Sequence, residues 1–301
     1  MRVITQKTVG DPSVLEVAEV GTPVAGPGEV LVRVGAAGVN PVDTYIRAGG
    51  FPALGEPPFT LGWDVAGTVV RDGEGFAEGD EVFGLLDFPG TGGGYAEYAV
   101  LKAANLVKRP SWLTVEEAGA APMAALTAWQ ALVGRGGVSA GQRVLVHAAA
   151  GGVGHLAVQI AKARGAYVIG TASAAKHDFL RSLGVDEVID YRHRDFTEID
   201  PVDVVLDTIG GEYAERSARV IRQGGVLVSI IPGNPAFDVD RASALGIRFE
   251  LVLSVVASGA DLAALPQLKV QIDHAVPLAE AAKAHELVSS GRTTGKVVLV
   301  P

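Results

Sequence analysis

No cysteine occurs among the 301 residues. Disulfides, thiolate nucleophiles and cysteine-ligated zinc are therefore excluded. The six histidines, His147, His155, His177, His193, His274 and His285, lack the His-x-x-x-His spacing that sets two imidazoles on one helical face. No bound metal is expected. Cations are in the minority, 25 Lys and Arg against 34 Asp and Glu, and the net charge of -9 speaks against a nucleic-acid partner or an anionic membrane. Long apolar runs are also missing. Residues 118–133 are broken by Pro122, Thr127 and Gln130, and residues 144–161 by His147, Gly151, Gly152, Gly154 and His155, so neither reads as a membrane span. Met1-Arg2-Val3-Ile4 begins as a strand without a basic, then apolar, leader, and a cytoplasmic location follows by default. With 48% hydrophobic and 20% charged residues, the chain has the material for a folded core.

Three styles of sequence follow one another. Up to about Arg109, short β-type runs such as 29–34, 65–70 and 95–100 are cut by Gly and Pro, which predicts an irregular barrel. From about Glu116 to Val256, strands alternate with helical segments, which predicts βαβ units and a parallel sheet. The predicted strands are 143–147, 166–171, 187–190, 202–206, 225–230 and 248–256. An amphipathic segment, 278–289, and a last strand, 296–300, then return to the first domain, because no helix follows that strand. The fold class is thus α/β, with domains at 1–118 plus 268–301 and at 119–267.

The strongest local signal is the run from Gly141 to Gly154. A β-branched strand enters a glycine turn, and Leu156, Ala157, Ile160 and Ala161 then recur at helical spacing up to Gly165. Ala149, Gly151 and Gly154 align to a dinucleotide fingerprint, with Gly152 and Val153 between them in the turn. Gly151 leaves the backbone amides open to a pyrophosphate. Gly154 brings helix and strand together, and the helix N-terminus adds partial positive charge. A glycine turn alone is weak evidence; the strand before it and the βα units after it are the context it requires.

The second predicted strand ends Val168-Ile169-Gly170-Thr171-Ala172-Ser173-Ala174-Ala175-Lys176. An NAD site places a carboxylate there for the ribose hydroxyls. Ser173 and Lys176 suit a 2′-phosphate instead, one by hydrogen bonding and the other by charge. Tyr191 and Arg192, after the third strand, flank the adenine end. NADP(H) is the expected cofactor, although Lys176 and Arg192 also read as ordinary solvated charges.

These residues carry a resemblance that covers nearly the whole chain. Asn40-Pro41-Val42-Asp43-Thr44-Tyr45-Ile46-Arg47-Ala48-Gly49, Gly79-Asp80-Glu81-Val82-Phe83-Gly84, Ala124-Ala125-Leu126-Thr127-Ala128-Trp129 and Gly295-Lys296-Val297-Val298-Leu299 resemble motifs of the medium-chain dehydrogenase/reductase superfamily. The phosphate turn, with Gln159 and Lys162 after it, is similar to that of the zinc-free quinone oxidoreductase, or zeta-crystallin-like, branch. The resemblance implies a GroES-like β-barrel domain and a doubly wound Rossmann domain. It implies Asn40 and Thr127 beside a nicotinamide, Tyr45 toward the substrate, and Ser173, Lys176 and Tyr191 at the adenosine 2′-phosphate. Asn40 also fits a turn cap, and Thr127 a hydroxyl bonded within its own helix. Gly62-Trp63-Asp64 departs from the Gly-His-Glu of zinc alcohol dehydrogenases. Phe51 stands where enoyl reductases of the superfamily place a proton-donating tyrosine.

The expected activity is transfer of hydride or electrons from NADPH to a quinone or other conjugated carbonyl acceptor, with Tyr45 and Asn40 as catalytic candidates. Reduction of an alkenal or enoyl-thioester double bond is one alternative. An NADPH-binding sensor or structural protein with negligible turnover is another. Phe249, Leu251, Leu253 and Val255 alternate along 247–256, a run without Pro or Lys. An edge strand so unprotected predicts a homodimer joined there.

Overall fold

The computed structural model describes residues 1–50, 55–231 and 237–301. Two units divide the chain: Met1–Leu126 with Val256–Ala264 and Val270–Pro301, and Thr127–Val255 with Leu265–Lys269.

Turn residues keep the first unit's strands short. β1 (Arg2–Gln6) pairs antiparallel with β2 (Glu16–Glu19), and β3 (Glu29–Val39) is followed by α1 (Pro41–Arg47). After these come β4 (Phe59–Thr60), which pairs with β1, then β5 (Asp64–Val69), β6 (Glu81–Leu85), β7 (Tyr98–Lys102) and β8 (Leu106–Lys108). β3 alternates at first, burying Val30, Val32 and Val34, and is covered on both faces from Ala36 onward. Small side chains make that possible. α2 (Val115–Ala120) lies so close that a Cβ on Gly119 would fall 2.6 Å from the Ala36 Cβ.

The second unit opens within α3 (Pro122–Trp129) and builds a six-stranded parallel sheet. Its elements are β9 (Arg143–Val146), α4 (Gly154–Ala163), β10 (Tyr167–Thr171), α5 (His177–Ser182), β11 (Glu187–Ile189), β12 (Val202–Asp207), α6 (Glu212–Ala218), β13 (Ile221–Ser229), α7 (Val239–Ala244) and β14 (Arg248–Leu251). The strand order is β11-β10-β9-β12-β13-β14, so the winding reverses between β9 and β12. Ligands of doubly wound sheets bind beyond the carboxyl ends of the strands at such a reversal. Val144, Leu145 and Val146 are fully buried, as a central parallel strand demands. On one face Leu145, Ile169, Val205 and Leu227 pack with Phe196 and Phe237.

The last strand is a correction to the sequence reading. β14 has four residues, not the predicted nine, because its neighbour β13 ends at Ser229, the partner of Leu251. Beyond that point Leu253 is 61% exposed while Val255 is 5% exposed, so the expected one-face alternation does not continue.

Back in the first unit, α8 (Gly259–Ala264), β15 (Ile272–Pro277), α9 (Ala281–Ser289) and β16 (Lys296–Val300) complete the chain. β16 pairs antiparallel with β3, and the sheet order is β15-β16-β3-β5-β6-β8, with β7 also on β3. A GroES-like barrel unit and a Rossmann-type parallel sheet are the fold class that the sequence implies. Among the described residues no helix is long and apolar enough to cross a membrane.

Candidate functional site

The second unit presents the phosphate turn. β9 delivers the chain to Ala148, whose φ of 44° is left-handed. The Gly151 amide donates to the Ala148 carbonyl at 2.8 Å, and the His155 amide to the Gly151 carbonyl at 3.1 Å. The amides of Gly152, Val153 and Gly154 therefore precede the first i to i−4 bond of α4, where a helix holds anions. A Cβ on Gly154 would sit 2.4 Å from the Ala148 carbonyl oxygen and 2.8 Å from the Ala149 Cα. No larger side chain fits there without moving the turn. Gly151 is less confined, with its nearest neighbour at 3.2 Å, and Gly151, Gly152 and Val153 are all partly open to solvent. Ala149 is buried and rests on Gly170, where a Cβ would approach the Ala149 Cβ to 2.9 Å. These positions match a backbone cradle for a pyrophosphate.

At the adjacent rim, β10 runs parallel to β11 with Thr171 opposite Ile189, and the Ala172 amide donates to the Ile189 carbonyl at 3.0 Å. This pairing makes the exit of β10, which leads into the Ser173–Lys176 turn, the neighbour of the exit of β11, which leads to Tyr191 and Arg192. The Lys176 amide donates to the Ser173 carbonyl at 2.9 Å, so both residues belong to one turn. The Arg192 guanidinium stands 5.7 Å from the centroid of the exposed Tyr191 ring. Asp190, the carboxylate nearest in sequence, accepts from the Arg192 amide at 3.1 Å. Thr127, the second unit's first residue, is half-buried on α3.

The first unit holds the other two candidates. Tyr45, on α1, is 55% exposed. Its ring lies against Gly50, where a Cβ would come within 2.3 Å of the ring carbon Cε2. Asn40 is at the N-terminus of α1 and buried. Its Nδ2 donates to Asp64 Oδ2 at 2.8 Å, and its Oδ1 accepts from Lys296 Nζ. Asp64 Oδ1 accepts from the Met123 amide at 2.6 Å, and the Lys296 ammonium is 3.8 Å from Asp64 Oδ2. Burial pushes Asp64 up and Lys296 down, and each partly offsets the other. Asp43 Oδ2 accepts from the Asn40 amide at 2.6 Å, and the Tyr95 hydroxyl also bears on this carboxyl. Burial raises the Asp43 carboxyl to about 7. Tyr95 and His285, both fully buried, meet at 3.2 Å. Phe51 lies outside the described residues.

Comparison with known proteins places this geometry. Residues 26–111 match the alcohol dehydrogenase GroES-like domain, and residues 183–299 match the zinc-binding dehydrogenase family. The quinone oxidoreductase of Lama guanicoe is 32% identical over 329 residues, spanning 100% of this chain and 97% of that protein. The chain belongs to the medium-chain dehydrogenase/reductase superfamily, in its quinone oxidoreductase branch. The 2-methylene-furan-3-one reductase of Solanum lycopersicum is 35% identical over 291 residues, 91% of this chain and 72% of that protein. Polyketide synthase GfsB of Streptomyces halstedii is 43% identical over 209 residues, 67% of this chain, and the match spans 4% of the synthase.

Among solved structures, the quinone oxidoreductase from Coxiella burnetii has a TM-score of 0.92 at 33% identity, covering 100% of this chain and 99% of that one. An NAD-dependent alcohol dehydrogenase has a TM-score of 0.90 at 34% identity with 100% of both chains covered. The Escherichia coli quinone oxidoreductase complexed with NADPH has a TM-score of 0.88 at 28% identity, again over 100% of both chains.

Zinc is part of one family description, and the donor set here does not fit it. Where zinc alcohol dehydrogenases carry Gly-His-Glu, Trp63 is fully buried and donates its indole N–H to the Gly90 carbonyl at 3.2 Å. Asp64, next to it, already receives Asn40, Met123 and Lys296. Without cysteine, the cluster offers no thiolate to complete a zinc shell.

The sequence missed Asp43, Asp64, Tyr95, His285 and Lys296 as one cluster, and Thr171 and Ser217 as partners of His147. Only Lys296, before Val297–Val300, and His147, after Val144–Val146, carried a signal, a polar side chain adjoining an apolar run.

Proposed function

We propose that this oxidoreductase is an NADPH-dependent, zinc-independent reductase of quinones or other conjugated carbonyl compounds. The observation that carries the reading is the rim beside the phosphate turn. There Ser173 and Lys176 follow β10, Tyr191 and Arg192 follow its neighbour β11, and Asp190 is drawn onto its own turn. A 2′-phosphate gains charge-assisted hydrogen bonds at such a rim, and an NAD ribose lacks its carboxylate. The NADPH complex of the similar Escherichia coli enzyme supports the same choice.

When bound, the nicotinamide supplies the hydride or the electrons. The amides of Gly152, Val153 and Gly154 would hold its pyrophosphate. Thr127, as the family resemblance implies, would flank the nicotinamide. Asn40, with its carbonyl fixed by Lys296 and one N–H by Asp64, keeps a second Nδ2 hydrogen to donate. Tyr45, solvent-facing and pressed on Gly50, would donate its phenolic hydrogen to the acceptor oxygen. Conjugation spreads the developing charge, so orienting the nicotinamide against the acceptor would account for most of the rate.

Similarity to the tomato reductase favours a second reading, reduction of an enone double bond. Location in the cytoplasm and a homodimer built on β14 complete the proposal. Steady-state oxidation of NADPH and NADH with a panel of quinones, alkenals and enoyl thioesters tests it. Turnover of quinones with NADPH is expected. Turnover of enones alone selects the second reading, and nucleotide binding without turnover of any acceptor overturns both.

A further inference from the structure

His147 follows three apolar residues out of β9, and its imidazole is fully buried. A buried ring needs partners for both nitrogens. Nδ1 is 3.3 Å from Thr171 Oγ1, and Nε2 is 2.9 Å from Ser217 Oγ on α6. Phe196 and Tyr213 meet the ring edge-on, with centroids at 4.6 and 5.0 Å. The backbone is tied as well. The His147 amide donates to the Leu206 carbonyl at 3.0 Å, and its carbonyl accepts from the Thr208 hydroxyl at 2.8 Å.

Thr171 is the link to the phosphate turn. Its Oγ1 accepts from the Ala148 amide at 3.2 Å, and its carbonyl accepts from the Ala149 amide at 3.0 Å. One lone pair of the hydroxyl accepts from the Ala148 amide, and we assign its single proton to His147 Nδ1. Nδ1 is then the acceptor, and Nε2 carries the hydrogen toward Ser217. The Arg216 guanidinium, 4.5 Å from the Phe196 centroid, opposes a charged imidazole from the same side. Burial and that charge together hold His147 down to about 3.

Ala148 makes this chain of bonds consequential. A non-glycine residue at φ 44° persists only where its surroundings enforce it. Three bonds do so here: Ala148 to Thr171 Oγ1, Ala149 to the Thr171 carbonyl, and Gly151 back to the Ala148 carbonyl. The amides that open α4 follow within a few residues.

We propose that His147 and Thr171 are positioning residues for the dinucleotide: they lock Ala148 in its left-handed conformation and so aim the amides of Gly152, Val153 and Gly154. The role rests on the cofactor reading above. Neither side chain has to touch the nucleotide.

Two measurements on the full-length protein test it. In the first, NADPH and NADH are titrated by nucleotide fluorescence into the parent, Thr171→Val and Thr171→Ser. Thr171→Val should weaken both nucleotides by about tenfold, the scale of one hydrogen bond, and Thr171→Ser should restore binding to within about twofold of the parent. At saturating nucleotide kcat should be retained, which a general loss of structure would not allow. In the second, nitrogen-15 NMR of the parent's imidazoles should show His147 neutral and protonated on Nε2 from pH 5 to 9. A Thr171→Val variant that binds like a binding-competent parent overturns the positioning role, and so does a His147 protonated on Nδ1. The NMR result needs neither variant nor nucleotide. A parent with the Nε2–H form that binds neither nucleotide overturns the cofactor reading and the positioning role, and leaves the hydrogen-bond network standing.

Discussion

Lys296 and Asn40 stand 256 positions apart in the chain, yet the lysine ammonium donates to the Asn40 side-chain carbonyl inside the first unit. A lysine has only donors and a carboxylate only acceptors, so the pair Lys296 and Asp64 dictates which end of the Asn40 amide faces which. Asn40 is thereby oriented from both sides. Gly38 is part of the same arrangement, since a Cβ there would lie 2.4 Å from Asp64 Oδ2.

Removing one member should be costly. Lys296→Met leaves the fully buried Asp64 carboxylate without its cation, and the expected loss of stability is about 3–5 kcal/mol. Adding Asp64→Asn removes the stranded charge and should recover much of that loss. Urea unfolding measures both. A Lys296→Met protein within about 1 kcal/mol of the parent would show that Asp64 is not held as a charge.

The pH dependence of stability should separate two kinds of buried acid–base group. Burial, aided by Arg216 at His147 and Arg47 at His285, takes both histidines from 6.5 to about 3. As pH falls below 6.5, the unfolded chain gains a proton at each position that the folded chain does not take up, so stability is lost. Asp43 works in the opposite sense. Its folded value of about 7 lies above the unfolded 3.8, so the stability it contributes is complete below 3.8 and is lost as pH rises toward 7. His285→Gln should make the acid limb of stability between pH 6.5 and 4 shallower by about one proton, or about 1.4 kcal/mol per pH unit. Asp43→Asn should make it steeper. Unfolding midpoints across that range decide, and slopes identical to the parent's in both variants would contradict the assigned shifts.

Lys176 provides the test of nucleotide choice. Lys176→Ala should weaken NADPH binding by about 1.5–3 kcal/mol, the value of hydrogen bonds to a charged group, and leave NADH almost unchanged. Equal loss for both nucleotides would remove Lys176 from the 2′-phosphate. Tighter binding of NADH than of NADPH by the parent would remove the phosphate itself.

The parts of this protein legible in its sequence are the local ones. The turn at 149–154 could be read because strand, glycines and helix are contiguous, and the close approach at Gly154 is the kind that spacing implies. The cluster of Asn40, Asp43, Asp64 and Lys296 could not, because α1, β5 and β16 meet only through the barrel's pairing. What the sequence did show was Lys296 heading the run Val297-Val298-Leu299-Val300, and His147 closing Val144-Leu145-Val146. A charged or polar residue in such a setting must find partners when buried, and that expectation could have singled out both. Periodicity overran β14 for a different reason. It reads alternation of side chains, whereas a strand ends where its neighbour stops offering hydrogen bonds.

That shorter β14 changes how pairing between two copies is to be tested. The Val252 amide donates to the Ser229 carbonyl at 2.9 Å, so a proline at 252 would damage the sheet from within rather than its free edge. Amides alternate in direction along a strand, so those of Leu251 and Phe249 face away from β13. Phe249 packs against the core cluster, whereas Leu251 is 38% exposed. Leu251→Pro therefore removes an outward donor and spares the bonds to β13. If two copies join edge to edge at β14, light scattering should give twice the chain mass for the parent and the single-chain mass for Leu251→Pro, with an unchanged circular dichroism spectrum. A parent that stays monomeric at micromolar concentration, or a Leu251→Pro protein that remains fully dimeric, would show that β14 is not where the copies meet.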